Sequence, residues 1–173
     1  MRSDRGLRNG IALAILLLVS ASVARADTQY LAPDEFIHQT FATPPAPAIL
    51  WLDNAAQARL TTALGHRYPQ ARLRYWRQDG KTVWILDELG KEYPITAGFV
   101  VANARIDKAQ VLIYRESRGE EIHLPAFLRQ FIGLHLDGDA LSGHVDGITG
   151  ATLSVDAMSR MARAALLLDT LAQ

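Results

Sequence analysis

The most chemically informative stretch lies near the C-terminus, where residues 146–154 read DGITGATLS. Gly150 can adopt a positive φ and Ala151 adds only a methyl group, so little bulk shields the hydroxyl of Thr152. A helical pattern follows, and we predict that this helix begins near Ser154, where unpaired N–H groups and the helix dipole favour an anion. The stretch suits a phosphate group. An ordinary glycine-containing loop that ends in an N-cap at Ser154 would use the same residue types.

The N-terminus has the pattern of a secretory signal peptide. Three arginines among the first eight residues precede an apolar run over residues 11–19, and Ala24-Arg25-Ala26 provides an A-x-A cleavage pattern. The apolar stretch is shorter than the roughly 20 residues that a membrane-spanning helix needs, so we expect cleavage after Ala26 rather than an uncleaved anchor. We therefore expect an exported, periplasmic protein, with association with the outer face of the inner membrane as one form of that location.

The rest of the chain has the length of one folded domain. Removal of 26 of the 173 residues leaves 147, and because four arginines and one aspartate go with the leader, 14 basic and 17 acidic residues remain, a formal charge of −3. The remaining residues contain no basic stripe of the kind that would indicate nucleic-acid binding. The sequence contains no cysteine, so it offers no disulfide, haem-attachment motif or thiolate ligand, and its five histidines lack the spacing of a metal site.

The order of predicted elements indicates an α+β fold in which an antiparallel sheet packs against helices. We predict helices over residues 33–41 and from Asp53 to about Leu64, separated by an extended linker at residues 44–47. Strands are predicted over residues 71–77, 81–88, 95–103 and 105–115, with an Asp-Gly turn between the first two. A short helix near residues 125–132, a loop rich in Gly and Asp, and an amphipathic helix over residues 155–171 complete the chain.

Two further groups of residues have alternative interpretations. Residues 116–121 (ESRGEE) fit a charged turn after a strand, or a segment whose glycine and polar groups meet the edge of a ligand. Aromatic residues could stack on a cofactor ring or form core and cross-strand pairs. The aromatic candidates are Tyr75, Trp76, Trp84, Phe127 and Phe131. No nucleophile elbow or catalytic triad is recognisable, so we assign no catalytic residue.

Residues 146–154 resemble the flavinylation motif of the FMN-binding domain family, D-x-x-[ST]-G-A-T-x-[ST], at every defined position. That family includes the covalently flavinylated subunits of ion-pumping NADH:quinone and ferredoxin:NAD oxidoreductases and many small exported proteins. Upstream, residues 111–122 resemble the strand, glutamate and glycine segment of the family, and residues 127–131 resemble its short helix with paired aromatics. Where many relatives carry a Glu-Thr-Pro-Gly-like stretch, this chain has Ser117 and Arg118 between the glutamate and the glycine.

The resemblance implies a single FMN-binding domain after the signal peptide. Residues 27–94 would supply the N-terminal helices and the first hairpin and residues 95–173 the FMN-binding core, all within one compact domain. A flavin transferase that uses FAD and magnesium would join FMN to Thr152 through a phosphoester, with AMP as the by-product. The resemblance also implies cofactor-binding or supporting roles for Asp146, Thr149, Gly150, Ala151, Ser154, Glu116 and Gly119.

The resemblance and the lack of a second redox centre in this sequence favour an electron carrier over a complete enzyme. We expect the protein to exchange electrons with membrane-bound redox proteins outside the cytoplasm. Two alternatives stay open at this point. The protein could be a flavin-dependent reductase that acts directly on an extracytoplasmic acceptor, or an interaction module without a cofactor.

Overall fold

A six-stranded antiparallel sheet forms the centre of the structure, a computed structural model that describes residues 27–173. Its strands are β1 (Thr28–Gln29), β2 (Ala48–Trp51), β3 (Arg72–Gln78), β4 (Lys81–Leu89), β5 (Pro94–Ala102) and β6 (Arg105–Tyr114). Their spatial order is β1-β6-β5-β4-β3-β2. The predicted signal peptide, residues 1–26, lies outside the described residues.

Helices pack on this sheet, which confirms the α+β class. They are α1 (Pro33–Thr40), α2 (Asn54–Leu64), α3 (Pro125–Leu128) and α4 (Thr152–Leu171). Short 3₁₀ turns, Glu120–His123 and Arg129–Phe131, flank α3, and a small ribbon of β7 (Leu136–Asp137) and β8 (Ala140–Leu141) lies in the loop before α4. Within residues 27–173, no helix combines the length and the apolar character needed to cross a membrane.

Local sequence signals account for several of these elements. The Asp53 carboxylate accepts a hydrogen bond from the Ala56 N–H at 2.8 Å, which caps α2, and Gly65 ends that helix with a φ of 81°. Asp79 and Gly80 both have positive φ, 52° and 74°, and they form the two-residue turn between β3 and β4. The helix predicted from Asp53 and the Asp-Gly hairpin are therefore confirmed.

The sheet is covered on both faces, so β5 is almost entirely buried. The larger core lies between the sheet, α2 and α4, and its fully buried members include Trp84, Phe99 and Met158. A smaller core lies under α1, where Phe36 packs with Val83, Val100 and Leu112. Consecutive residues Phe99 and Val100 serve opposite cores because side chains alternate along a strand.

The C-terminal end of α4 is attached to the sheet by a buried polar chain. The Thr82 hydroxyl donates to the Asp169 carboxylate at 2.7 Å, and the Trp84 indole N–H donates to the Thr82 oxygen at 3.0 Å. Asp169 is 7% exposed and lies 3.9 Å from the Arg77 guanidinium. Because each of these buried groups has a partner, the network holds α4 at a fixed position on the sheet.

The structure also differs from the sequence-based predictions. The short strands β1 and β2 were not predicted; β2 follows the proline-rich linker and pairs with β3. The helix expected over residues 125–132 is divided into α3 and a 3₁₀ turn. The last helix, predicted to begin near Ser154, begins two residues earlier, at Thr152, with Ala151 as its N-cap residue. The turn between Ile148 and Ala151, with Gly150 at a φ of 82°, directs the chain into the helix earlier than expected.

Candidate functional site

An open cleft of about 590 Å³ lies between the N-terminus of α4 and two loops. The loop after β4 contributes Lys91, the loop after β6 contributes residues 116–118, and α4 with its preceding loop contributes residues 150–154. The volume falls within the range of roughly 300–1,000 Å³ that is usual for small-molecule and cofactor sites. The cleft therefore brings together segments that lie far apart in the sequence.

The helix N-terminus in this cleft has no side-chain cap. Ala151 occupies the N-cap position and cannot accept a hydrogen bond through its side chain. The first backbone hydrogen bond of the helix runs from the Val155 N–H to the Ala151 carbonyl. The N–H groups of Thr152, Leu153 and Ser154 precede that bond and face the end of the helix. Thr152 itself is exposed. A hydroxyl group and the positive end of a helix dipole thus occupy the same place.

Gly119 brings the loop after β6 against this helix end. A Cβ atom built on Gly119 would lie 2.7 Å from the Ala151 Cβ atom and 3.0 Å from the Tyr114 hydroxyl oxygen. Gly119 also has a φ of 86°, a conformation that L side chains rarely adopt. A larger residue at either Gly119 or Ala151 would separate the two walls of the cleft.

Below the cleft, a buried tyrosine connects the same two segments. The Tyr114 hydroxyl donates to the Arg118 carbonyl oxygen at 2.5 Å and lies 3.2 Å from the Ser154 hydroxyl oxygen. Burial is the main cause that raises the pKa of Tyr114 above its ordinary value of 10.0, so the phenol stays protonated near neutral pH. Ser154 is buried in the first turn of α4. The alternative in which Ser154 is the N-cap is therefore wrong, because Ala151 holds that position and the Ser154 hydroxyl makes this internal contact instead.

Glu116 organises the other wall of the cleft. One of its carboxylate oxygens accepts hydrogen bonds from the backbone N–H groups of Lys91, Glu92 and Tyr93 at 2.5, 2.6 and 3.0 Å. A Cβ atom on Gly90 would lie 2.8 Å from that oxygen, so glycine gives the carboxylate room to approach the loop. Three N–H donors around one oxygen form an anion-binding nest. Glu116 thereby fixes the loop that carries Lys91.

Two cationic residues, Lys91 and Arg118, belong to the lining of the cleft together with Thr152, and neither was identified from the sequence as a site residue. Arg118 belongs to the ESRGEE segment and is exposed. Lys91 lies in the loop after β4, where its ammonium group is 3.6 Å from the exposed Glu92 carboxylate. No short motif marks Lys91, because it reaches the cleft only through the pairing of β4 with β5. Both cations would favour a phosphate group at the helix end.

The remaining motif residues lie outside the lining of this cleft. Asp146 and Thr149 are exposed residues of the preceding loop. The Asp146 N–H donates to the Gln130 side-chain oxygen at 2.7 Å, and the Asp146 carboxylate is 3.7 Å from the exposed His144 ring. The structure therefore brings together Thr152, Gly150, Ala151, Ser154, Glu116 and Gly119 and leaves Asp146 and Thr149 at its edge.

The aromatic candidates belong to the cores and do not line the cleft. Trp84 and Phe131 are fully buried, and Tyr75 stacks on Trp84 with 4.7 Å between ring centroids. Phe127 meets Phe131 edge to face at 5.5 Å. Trp76 packs against the smaller core under α1. Of the two interpretations of these residues, core and cross-strand packing is the one that the structure shows.

Comparison with protein families identifies the region that contains this cleft. Residues 90–167 match the family described as FMN-binding domain. The chain carries an FMN-binding domain. The match begins in the loop held by Glu116 and ends in the last third of α4, so it includes every residue that lines the cleft. No curated protein and no solved structure matches the chain.

The cleft of this FMN-binding domain contains donor groups that would suit a phosphate. The first-turn N–H groups have no side-chain cap, and Lys91 and Arg118 supply positive charge beside them. The N-cap residue Ala151 has no polar side chain that would compete with a phosphate for these N–H groups. Within residues 27–173, no group of three or more histidine or carboxylate side chains is arranged to hold a metal ion. The match to the FMN-binding domain family therefore identifies the chain as a flavin-binding protein.

Proposed function

We propose that this protein is an extracytoplasmic electron-transfer flavoprotein that carries FMN through a phosphoester to the Thr152 hydroxyl. The observation that supports this most directly is the exposed Thr152 side chain at the uncapped N-terminus of α4, inside the cleft of the FMN-binding domain. A phosphate on that oxygen would lie where the helix end and two cations favour negative charge.

The surroundings of the neighbouring hydroxyl groups support Thr152 over the other candidates. Ser154 is 4% exposed and its oxygen contacts Tyr114, so it is not accessible to a modifying enzyme. Thr149 is exposed but lies outside the cleft lining. Ser117 lines the cleft, but it belongs to the loop after β6 and not to the helix end. Thr152 alone among these residues combines exposure with the helix dipole.

The attachment step transfers the FMN portion of FAD. In this proposal a flavin transferase binds FAD and magnesium, and the Thr152 oxygen forms a bond to the phosphorus on the FMN side. The P–O–P bond of FAD breaks, AMP leaves, and the hydroxyl proton passes to solvent. The domain orients the product and stabilises its phosphate, while the isoalloxazine ring supplies the redox chemistry.

The proposed location and partners rest on the sequence and on the consequences of a covalent tether. The first 26 residues have the pattern of an export signal. A flavin that is bound reversibly outside the cytoplasm can diffuse away, whereas a phosphoester retains it. We therefore infer that the protein exchanges electrons with membrane-bound redox proteins on the outer side of the inner membrane.

Intact-mass measurement after co-expression with a flavin transferase tests the attachment. The wild-type protein should gain the mass of one FMN less one water, and peptide mapping should place it on Thr152. Thr152→Ser should still be modified, whereas Thr152→Val should carry no flavin after denaturation. Thr170→Val is the matched control, because Thr170 lies at the opposite end of the same helix. An unmodified wild-type protein, with the transferase shown to be active on another acceptor, would contradict the proposal.

A kinetic experiment separates the carrier from a direct reductase. The flavinylated protein is reduced chemically and mixed with increasing concentrations of a small quinone analogue. A carrier without a substrate site should be reoxidised at a rate that rises linearly with the acceptor concentration. Saturation of that rate at low acceptor concentration would indicate a bound acceptor and would support the reductase alternative instead.

A further inference from the structure

The Tyr114 hydroxyl lies where the two walls of the cleft meet, between the loop after β6 and the N-terminus of α4. Tyr114 is the last residue of β6 and is 3% exposed. Its oxygen contacts the Arg118 carbonyl on the loop side and the Ser154 hydroxyl on the helix side. One rigid side chain from the sheet thus bonds to both segments that line the cleft.

The direction of these two hydrogen bonds follows from the number of protons. A phenol has one proton, and the Arg118 carbonyl can only accept, so the Tyr114 proton is used in the bond of 2.5 Å to that carbonyl. Ser154 must then donate its own proton to the Tyr114 oxygen across 3.2 Å. The Ser154 hydroxyl therefore points inward, and its proton is engaged in the hydrogen bond to Tyr114. The neighbouring Thr152 hydroxyl has no such internal partner among the described residues.

The contact between Gly119 and Ala151 fixes the same arrangement by packing. Gly119 follows Arg118 directly, and Ala151 precedes Thr152, so the pair lies next to the hydrogen bonds of Tyr114. With hydrogen bonds and close packing acting on adjacent residues, the loop and the helix end have little freedom to move apart. The orientation of the first turn of α4 is set from the sheet through Tyr114.

We propose that Tyr114 is a positioning residue for flavin attachment, because it holds the loop at Arg118 and the first turn of α4 at Ser154 so that Thr152 faces the transferase. This inference rests on the proposed phosphoester at Thr152. It assigns Ser154 a role as the partner of Tyr114, and it explains why two hydroxyl groups so close in sequence differ in accessibility.

The test compares acceptor variants in a flavinylation assay with purified transferase, FAD and magnesium. Tyr114→Phe removes the shared hydroxyl and keeps the ring. We expect the kcat for FMN transfer to fall by about 10-fold to 100-fold, since small misplacement of a reacting group has effects of this size. The KM for the acceptor protein should stay near the wild-type value, because the exposed surface is unchanged. Ser154→Ala should act in the same direction, and Ser154→Thr should restore transfer.

Tyr68→Phe is the matched control, because Tyr68 is a buried tyrosine outside the cleft lining. It should leave kcat unchanged. If Tyr114→Phe does not fold, the comparison of Ser154→Ala with Ser154→Thr decides the question. A wild-type kcat in Tyr114→Phe, with FMN mapped to Thr152 in the wild type, would overturn this inference and leave the proposed function intact. Absence of FMN from the wild-type protein would overturn both.

Discussion

A Cβ atom on Gly119 would lie 2.7 Å from the Cβ atom of Ala151, which places the loop after β6 in direct contact with the N-terminus of α4. Gly119 and Gly150 have nearly the same backbone conformation, with φ of 86° and 82°. A Cβ atom on Gly150 would meet nothing within 4 Å. These two glycines therefore distinguish the cost of backbone strain from the cost of separating the cleft walls.

Substitution of each glycine by alanine should show that difference. Gly150→Ala should lower the free energy of unfolding by about 1–2 kcal/mol through the left-handed backbone alone. Gly119→Ala should lower the free energy of unfolding by about 1–3 kcal/mol more, because its methyl group overlaps Ala151. Urea denaturation of both variants measures the two values. Equal losses would mean that the contact between Gly119 and Ala151 is not tightly packed.

The bond between Glu116 and the loop after β4 should control the order of that loop. Glu116→Gln retains the shape of the side chain but replaces charged acceptor bonds with weaker ones, so we expect a loss of about 1–3 kcal/mol in the free energy of unfolding. Amide hydrogen exchange should accelerate at Lys91, Glu92 and Tyr93. The exposed Glu92→Gln is the charge-matched control and should leave exchange at these amides unchanged. Unaltered protection in Glu116→Gln would contradict the role of its carboxylate.

A cluster beside α4 links the segment after α2 to the end of β4. The His66 Nε2 atom lies 2.9 Å from a carboxylate oxygen of the buried Glu88, and the His66 Nδ1 atom lies 3.1 Å from the Arg67 carbonyl oxygen. The Arg160 guanidinium donates to Glu88 at 3.1 Å and to the Leu89 carbonyl at 3.0 Å. Because both ring nitrogens of His66 face acceptors, the doubly protonated imidazolium is the form that fits.

This arrangement predicts a pH dependence of stability. The Arg67 carbonyl, followed by the Glu88 carboxylate, raises the pKa of His66 above its ordinary value of 6.5. The contribution of protonated His66 to the free energy of unfolding is therefore fully present below its unfolded-state pKa and is lost as the pH rises through its higher folded-state pKa. His66→Gln should remove this pH-dependent loss of stability. Denaturation curves at about pH 5.5 and about pH 8.5 measure it, and an unchanged difference in the variant would contradict it. His38→Gln, at an exposed position, is the control.

The helix end should prefer negative charge even without flavin. Thr152→Glu places a carboxylate in the first turn of the uncapped α4, so it should raise the free energy of unfolding by about 0.3–1 kcal/mol relative to Thr152→Gln. The difference should shrink at high salt, because exposed charges are screened. Thermal unfolding of the two variants at low and high ionic strength provides the measurement. Identical stabilities at low salt would contradict an anion-binding helix end.

The parts of the fold that depend on local signals were predictable from the sequence. The Asp53 cap, the Gly65 stop and the Asp79-Gly80 turn each act within a few residues, and the structure has all three. The strands β1 and β2 were missed because they are short and owe their extended form to pairing with β6 and β3. Such strands have no periodicity that distinguishes them from a linker.

The site was predictable where a motif specifies it and not where the sheet assembles it. The glycine and alanine before Thr152 marked the region of the proposed attachment, and Glu116 and Gly119 were placed with it by family resemblance. Lys91 and Tyr114 reach the cleft only because β4, β5 and β6 pair side by side. The start of α4 lies two residues before the predicted one, because serine is a commoner N-cap residue than alanine and the sequence therefore pointed to Ser154 rather than to Ala151.

The polar chain from Asp169 to Thr82 and Trp84 has a consequence for the other end of α4. A helix of 20 residues extends about 30 Å, and this one is attached near its C-terminus to buried groups of β4. It cannot slide along its axis or rotate without breaking those bonds. If Thr152 carries FMN as proposed, its oxygen is held in place by the helix. Movement of the attached flavin would then have to come from torsions in its own ribityl and phosphate chain.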